Sequence, residues 1–97
     1  MIVKIREDDY TLVYDVWTLV IFERITNRAF EGKTITDWAT LAYASILSGN
    51  RDMSLSMDEF FREDPSVLNS IVDWLKKQFE ISKQLRDEES DDASKKK

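Results

Sequence analysis

The residues of this chain that could most directly do chemistry are carboxylates, and they come in clusters: Glu7-Asp8-Asp9, Glu63-Asp64, Asp87-Glu88-Glu89 and Asp91-Asp92. Neighbouring carboxylates can hold a hard cation or divide acid and base work between them. None of these clusters has the spacing of a calcium loop, and the glycine such a loop needs at its sharp bend is missing. Each has a simpler use. Glu7-Asp8-Asp9 lies between two apolar stretches and suits a turn. Glu63-Asp64 precedes Pro65 and suits a helix start. The last two belong to a solvated tail. Ser82-Lys83 reads as a helix surface pair, and no glycine-flanked serine elbow presents itself. Gly32 and Gly49 stand alone, so no phosphate-cradling loop forms. Cysteine and histidine are both absent, which removes disulfides, thiolate nucleophiles, imidazole bases and Cys/His zinc sites together. The chain therefore reads as no enzyme, with no cofactor and no metal.

What remains is apolar chemistry, and most of it sits near the C-terminus. From Pro65 to Leu85, Leu68, Ile71, Val72, Leu75 and Phe79 recur at helical spacing, enough to dock a helix on a small core. A second line, Val67, Trp74 and Ile81, recurs every seven residues. At about 100° per residue this line falls on a flank beside the first, so the apolar arc spans roughly half the helix. Surplus apolar surface implies a partner, and Trp is enriched at binding hot spots. Phe60 and Phe61 are adjacent on a short helix and cannot both face one core. The candidate partner-binding residues are accordingly Phe60, Phe61, Val67, Trp74 and Ile81. The competing assignment for Trp74 is packing under the N-terminal hairpin of its own chain.

The elements that must carry these residues follow from local pattern. Ile2 to Arg6 and Tyr10 to Tyr14 alternate as two short strands around a Glu7-Asp8-Asp9 turn. Such a hairpin is marginal alone and must pack on a helix or pair with another chain. Asp15 caps a first helix, Val16 to Thr26, which is apolar on nearly every side and so is expected in the middle of the domain, with Trp17 in the core. Asn27 ends it in a left-handed cap, and Phe30, in the connector, plugs the core. Thr34 or Thr36 caps a second helix through about Leu47, on which Trp38 faces the core and small Ala42 and Ser45 let another helix approach. Ser56-Met57-Asp58-Glu59 has capping-box spacing and opens the short helix. Asp64-Pro65 opens the last one. The fold class is mainly α: a small helical domain, three main helices plus a short one, with an N-terminal β-hairpin.

The 97 residues fit one domain, assigned to 1–85. Residues 86–97, built from Arg, Asp, Glu, Ser, Ala and Lys, form an expected disordered charged tail. Apolar residues make up 42% of the chain and charged ones 34%, a soluble globular balance without a run of about 18 apolar residues that could span a membrane. Met1 to Arg6 has charges inside its apolar stretch, unlike a secretory signal. The expected location is the cytoplasm. The net charge of −5 opposes the positive footprint that nucleic-acid binding requires.

Taken in order, the segments resemble the tail assembly chaperones of long-tailed phages and prophages. Leu12-Val13-Tyr14 matches the opening extended segment of that family. Phe22-Glu23-Arg24-Ile25-Thr26-Asn27 matches the end of its first helix, with Asn27 where glycine is commoner. Trp38 through Ala44, holding Leu41-Ala42-Tyr43-Ala44, matches its middle helix. Ser54-Leu55-Ser56-Met57-Asp58-Glu59-Phe60 and Pro65 onward match the rest, so the likeness covers about residues 2 to 82. The resemblance implies a non-enzymatic chaperone in the host cytoplasm that coats the tape-measure protein and helps recruit tail-tube subunits. It also implies self-association through the same apolar face. Two other classes compete: an acidic inhibitor or immunity-type protein that blocks an enzyme or DNA-binding protein through its carboxylates, and a small helix-turn-helix regulator. The acidic charge and the lack of a basic helix disfavour the regulator.

Overall fold

The second helix is the axis on which the molecule is built. The computed structural model describes residues 1–50 and 53–95, with side chains through Ile81. Its elements run β1 (Ile2–Ile5), β2 (Asp8–Thr11), α1 (Val16–Thr26), α2 (Ile35–Gly49), α3 (Met57–Phe61) and α4 (Pro65–Lys95). The protein is mainly helical with an N-terminal antiparallel hairpin. Residues 39 to 46 of α2 are buried without a break, because α1, α3, α4 and β2 all pack against this one helix. Its small side chains, Ala39, Ala42, Ala44 and Ser45, make room for neighbours on several sides at once.

That arrangement corrects one expectation. The first helix is not the buried centre. Only Thr18 and Phe22 of α1 are buried, while Val16 is 76% and Trp17 49% exposed. Trp17 is therefore no core residue; the Arg24 guanidinium lies over its ring, 4.9 Å from the centroid, as a cation–π contact. The buried Thr18 hydroxyl is fully engaged, donating to the Val13 carbonyl at 2.8 Å and accepting from the Asp15 N–H at 3.2 Å. It completes the capping box that starts the helix at Asp15. Asn27 ends α1 in the left-handed conformation, φ 61°, as its residue type suggested.

The hairpin turns earlier than expected. Ile5 pairs with Asp8 and Val3 with Tyr10, so the turn is Arg6-Glu7, both with positive φ, and not Glu7-Asp8-Asp9. The strands accordingly stop at Ile5 and Thr11, short of Arg6 and Tyr14. A three-residue loop at 7–9 would set Arg6 opposite Tyr10 and send the apolar residues of the two strands to opposite faces. The two-residue turn keeps Ile5, Tyr10 and Leu12 together in the core. Its twist also matches that of the strands. Arg6 is held in its disfavoured conformation by two carboxylates, Glu59 at 2.5 Å and Glu63 at 3.0 Å. These ion pairs tie the turn to α3 and the link that follows it.

The hairpin meets α2 at very short range. A Cβ on Gly49 would lie 2.0 Å from the Thr11 carbonyl oxygen, so only glycine fits there. Beyond β2 the chain continues into α1 with the Val13 N–H donating to the Ser45 carbonyl at 3.1 Å. The connector from α1 to α2 is pinned by Asp37, which is buried in an ion pair with Arg28 and accepts the Gly32 N–H at 3.2 Å. Phe30 stands in this connector among Phe22, Trp38 and Phe79, with ring centroids 5.1 to 5.3 Å away.

Helix α3 opens on the capping box of Ser56 and Glu59. In α4, Ser66 N–H donates to Asp64 at 2.9 Å, and Ile71, Val72 and Leu75 are buried, with Leu68 and Phe79 packed beside the core. The helix runs on past Leu85 to Lys95. The charged tail expected at 86–97 falls on side chains outside the described residues. Among the described residues every buried side-chain nitrogen or oxygen has a partner.

Candidate partner-binding groove

The exposed side of α1 faces the middle of α4 across an open groove of about 630 Å³. One wall is Val16, Leu19, Val20 and Glu23 of α1; the other is Gln78, Phe79 and Ile81 of α4; Phe30 lies between them. The aromatic cluster sets this geometry. Phe79 stacks on Phe30 at 5.3 Å and meets Tyr14 at 4.9 Å, which holds α4 beside the start of α1. Val16 and Val20 are one turn apart, on the far side of the helix from Phe22, so they line the groove because they do not reach the core.

The groove is apolar with an acidic rim. Among the described residues its charged lining side chains are Asp15 and Glu23, with no Lys or Arg. Asp15 is partly used, accepting from Thr18 N–H at 3.1 Å and from the Ser48 hydroxyl at 3.4 Å. Glu23 has no ion pair among the described residues. With its largely apolar walls, the groove can shield hydrophobic side chains of another molecule.

The five residues singled out from the sequence end up in four different settings. Phe60 is 2% exposed and belongs to the core, its ring 5.9 Å from that of Tyr43. It is corrected from a partner-facing residue to a core residue, and its neighbour Phe61, 42% exposed, is the one that points out. Val67 and Trp74 are partly buried and pack against their own core. Ile81 is 53% exposed and lines the groove, the sole member of the five to do so. The contribution of α1 was missed because its apolar residues were all assigned inward. The signal was present in Thr18, whose polar side chain occupies the buried face and so turns Val16 and Val20 outward.

No protein-family model matches this chain, and neither the curated proteins nor the solved structures contain a significant match.

Shifted titrations lie away from the groove and have structural causes. The hydrogen bond from Arg28 holds the Asp37 carboxyl below the usual carboxylate range. Hydrogen bonding from Ser56 does the same for Glu59, and from Ser66 for Asp64. Burial raises the Tyr43 hydroxyl, which donates to the Leu55 carbonyl at 2.7 Å. Among the described residues no group of three His, Cys, Asp or Glu is placed to hold a metal ion, and no helix is long and apolar enough to cross a membrane.

Proposed function

We propose that this protein is a non-enzymatic tail assembly chaperone of the phage and prophage kind, which covers apolar helices of a tape-measure protein and helps recruit tail-tube subunits in the host cytoplasm. The observation that carries the reading is the apolar groove between α1 and α4, with Val16 and Ile81 exposed at its rim. Exposed apolar surface of this kind serves association. A groove between two helices suits an amphipathic helix laid along it. The acidic rim and the net charge of −5 favour basic residues flanking that helix and keep the assembly soluble. The resemblance of the segment order to that of the tail assembly chaperones supports the same reading.

Co-expression tests it. A tape-measure frame encoded beside this gene should become soluble and co-purify with the wild-type chain. It should return to the pellet with Val16→Asp or Ile81→Asp. A tape-measure protein equally soluble with and without the chain overturns the reading. An inhibitor acting through carboxylates would lose binding steeply as salt rises, whereas an apolar interface is held nearly unchanged.

A further inference from the structure

The two edges of the hairpin differ where Asn50 meets one of them. The Met1 carbonyl accepts the Leu12 N–H at 2.8 Å, and Ile5 pairs with Asp8 across the two-residue turn. In an antiparallel ladder these must be hydrogen-bonded pairs, so Ile2 and Lys4 occupy the alternate positions, whose N–H and C=O groups point away from β2. On β2 the outward groups of Thr11 are occupied. Thr11 gives its N–H to Asn50 Oδ1 at 3.3 Å, and its carbonyl accepts from Asn50 Nδ2 at 2.7 Å. On β1 nothing corresponds: among the described residues the main-chain groups of Ile2 and Lys4 have no partner. Ile2 is also 68% exposed. The structure thus presents a row of unpaired donors and acceptors that an extended segment can complete.

We propose that this segment is β1 of a second copy of the chain, giving a continuous four-stranded antiparallel sheet across a two-fold axis. The strand is complementary to itself in one register. With Val3 opposite Val3 of the copy, Ile2 and Lys4 of one chain form hydrogen-bonded pairs with Lys4 and Ile2 of the other, and all of β1 is used. A shift one way brings Lys4 opposite Lys4, which like-charge repulsion opposes; a shift the other way leaves Lys4 and Ile5 unpaired. In the favoured register each Lys4 keeps Asp9 of its own hairpin as cross-strand neighbour. Pairing also answers the marginal stability of an isolated two-stranded sheet. The interface is isologous and closes as a dimer. It is separate from the α1–α4 groove and does not depend on the function proposed above.

Sedimentation of the full chain over a wide concentration range tests this, with Lys4→Pro as the discriminating variant. Proline at position 4 removes an outward N–H and leaves the Met1, Val3 and Ile5 ladder untouched, which an edge strand tolerates. The wild type should be dimeric, and Lys4→Pro should raise the dissociation constant about tenfold or more while retaining the wild-type circular dichroism spectrum. The chain has no cysteine, so Val3→Cys provides a second readout that does not depend on the proline variant folding. Opposed Val3 residues form a non-hydrogen-bonded pair about 4.5 Å apart at Cα, within disulfide reach. Val3→Cys should oxidise to a covalent dimer, and Thr11→Cys, on the edge closed by Asn50, should not. A wild type monomeric at every concentration, or cross-linking as efficient at Thr11 as at Val3, overturns the proposal.

Discussion

The side-chain amide of Asn50 takes up both main-chain groups of Thr11, donating from Nδ2 to its carbonyl and accepting from its N–H. A residue just past the end of α2 thereby stands in for a neighbouring strand. Nδ2 also donates to the Ile46 carbonyl at 2.7 Å, so one amide joins the last turn of α2 to the hairpin. Asn50→Ala should destabilise the fold by about 1 kcal/mol, since the freed groups of Thr11 lie where water can reach them. Asn50→Asp should cost more, because it replaces the donor that serves two carbonyls with a repelling oxygen. Chemical denaturation of the three proteins, read as midpoint shifts at constant slope, checks the order.

Gly49 sits beside this amide and invites a substitution that would fail. By helix propensity alone Gly49→Ala in α2 should gain about 1 kcal/mol. The new Cβ, however, would lie 2.0 Å from the Thr11 carbonyl oxygen and 3.3 Å from Val13 Cγ2, and a main-chain oxygen cannot swing aside as a side-chain tip can. Overpacking of this sort costs about 1–3 kcal/mol or more. The net change is expected to be a loss, with the hairpin displaced from α2. A Gly49→Ala protein melting above the wild type would show that the hairpin can shift freely on the helix.

These two residues mark what the sequence made legible. Each helix start was readable because a side chain of the right type stood at the cap, Asp15, Ser56 and Asp64 outright and Thr34 as one of two candidates with Thr36. The stripe of Leu68, Ile71, Val72, Leu75 and Phe79 was readable because a helix that docks on one side shows its period. The position of α1 was not. When apolar residues surround a helix, period carries no direction, and the face that turns inward is decided by what lies opposite. Here Phe22 and Thr18 turn inward where α1 packs on α2, leaving Val16 and Trp17 outside. The groove therefore depends on a tertiary choice that no window of α1 alone encodes. The turn register escaped for a related reason. Arg6 and Glu7 are poor left-handed residues by type, and Arg6 is held there by Glu59 and Glu63, more than fifty residues away in the chain.

Separating binding from folding needs variants on both kinds of surface. Val16→Asp and Ile81→Asp change residues more than half exposed, so each should move stability by no more than about 0.5 kcal/mol. Trp74→Ala removes a ring packed beside the core and should cost about 1–3 kcal/mol. The expected pattern is loss of partner binding without loss of stability for the first two, and loss of stability for Trp74→Ala. Thermal melts beside a pull-down of the tape-measure protein give both readings. Binding that survives Val16→Asp and fails only with Trp74→Ala would move the interface from the groove to the flank of α4.

The stability of the fold should be nearly independent of pH in the neutral range and should fall away on both sides. The chain has no histidine, so no side chain with an ordinary pKa near neutrality contributes. Asp37, held low first by its hydrogen bond from Arg28, together with Glu59 and Asp64, binds a proton more weakly folded than unfolded. Their contribution is complete above the ordinary carboxylate value of about 4 and is lost as pH falls through the lower folded values. Tyr43 has the opposite shift. Burial raises it, so the folded chain keeps that proton more tightly. Its contribution is complete below the ordinary value of about 10 and is lost as pH rises through the folded one. Melting temperatures measured across this range should form a plateau with an acid limb and an alkaline limb. Asp37→Asn should lower the plateau and flatten the acid limb, because the Arg28 pair no longer exists to be titrated. Tyr43→Phe should lose the hydrogen bond to Leu55 and flatten the alkaline limb alone. A melting temperature that drifts steadily through neutrality would contradict this assignment.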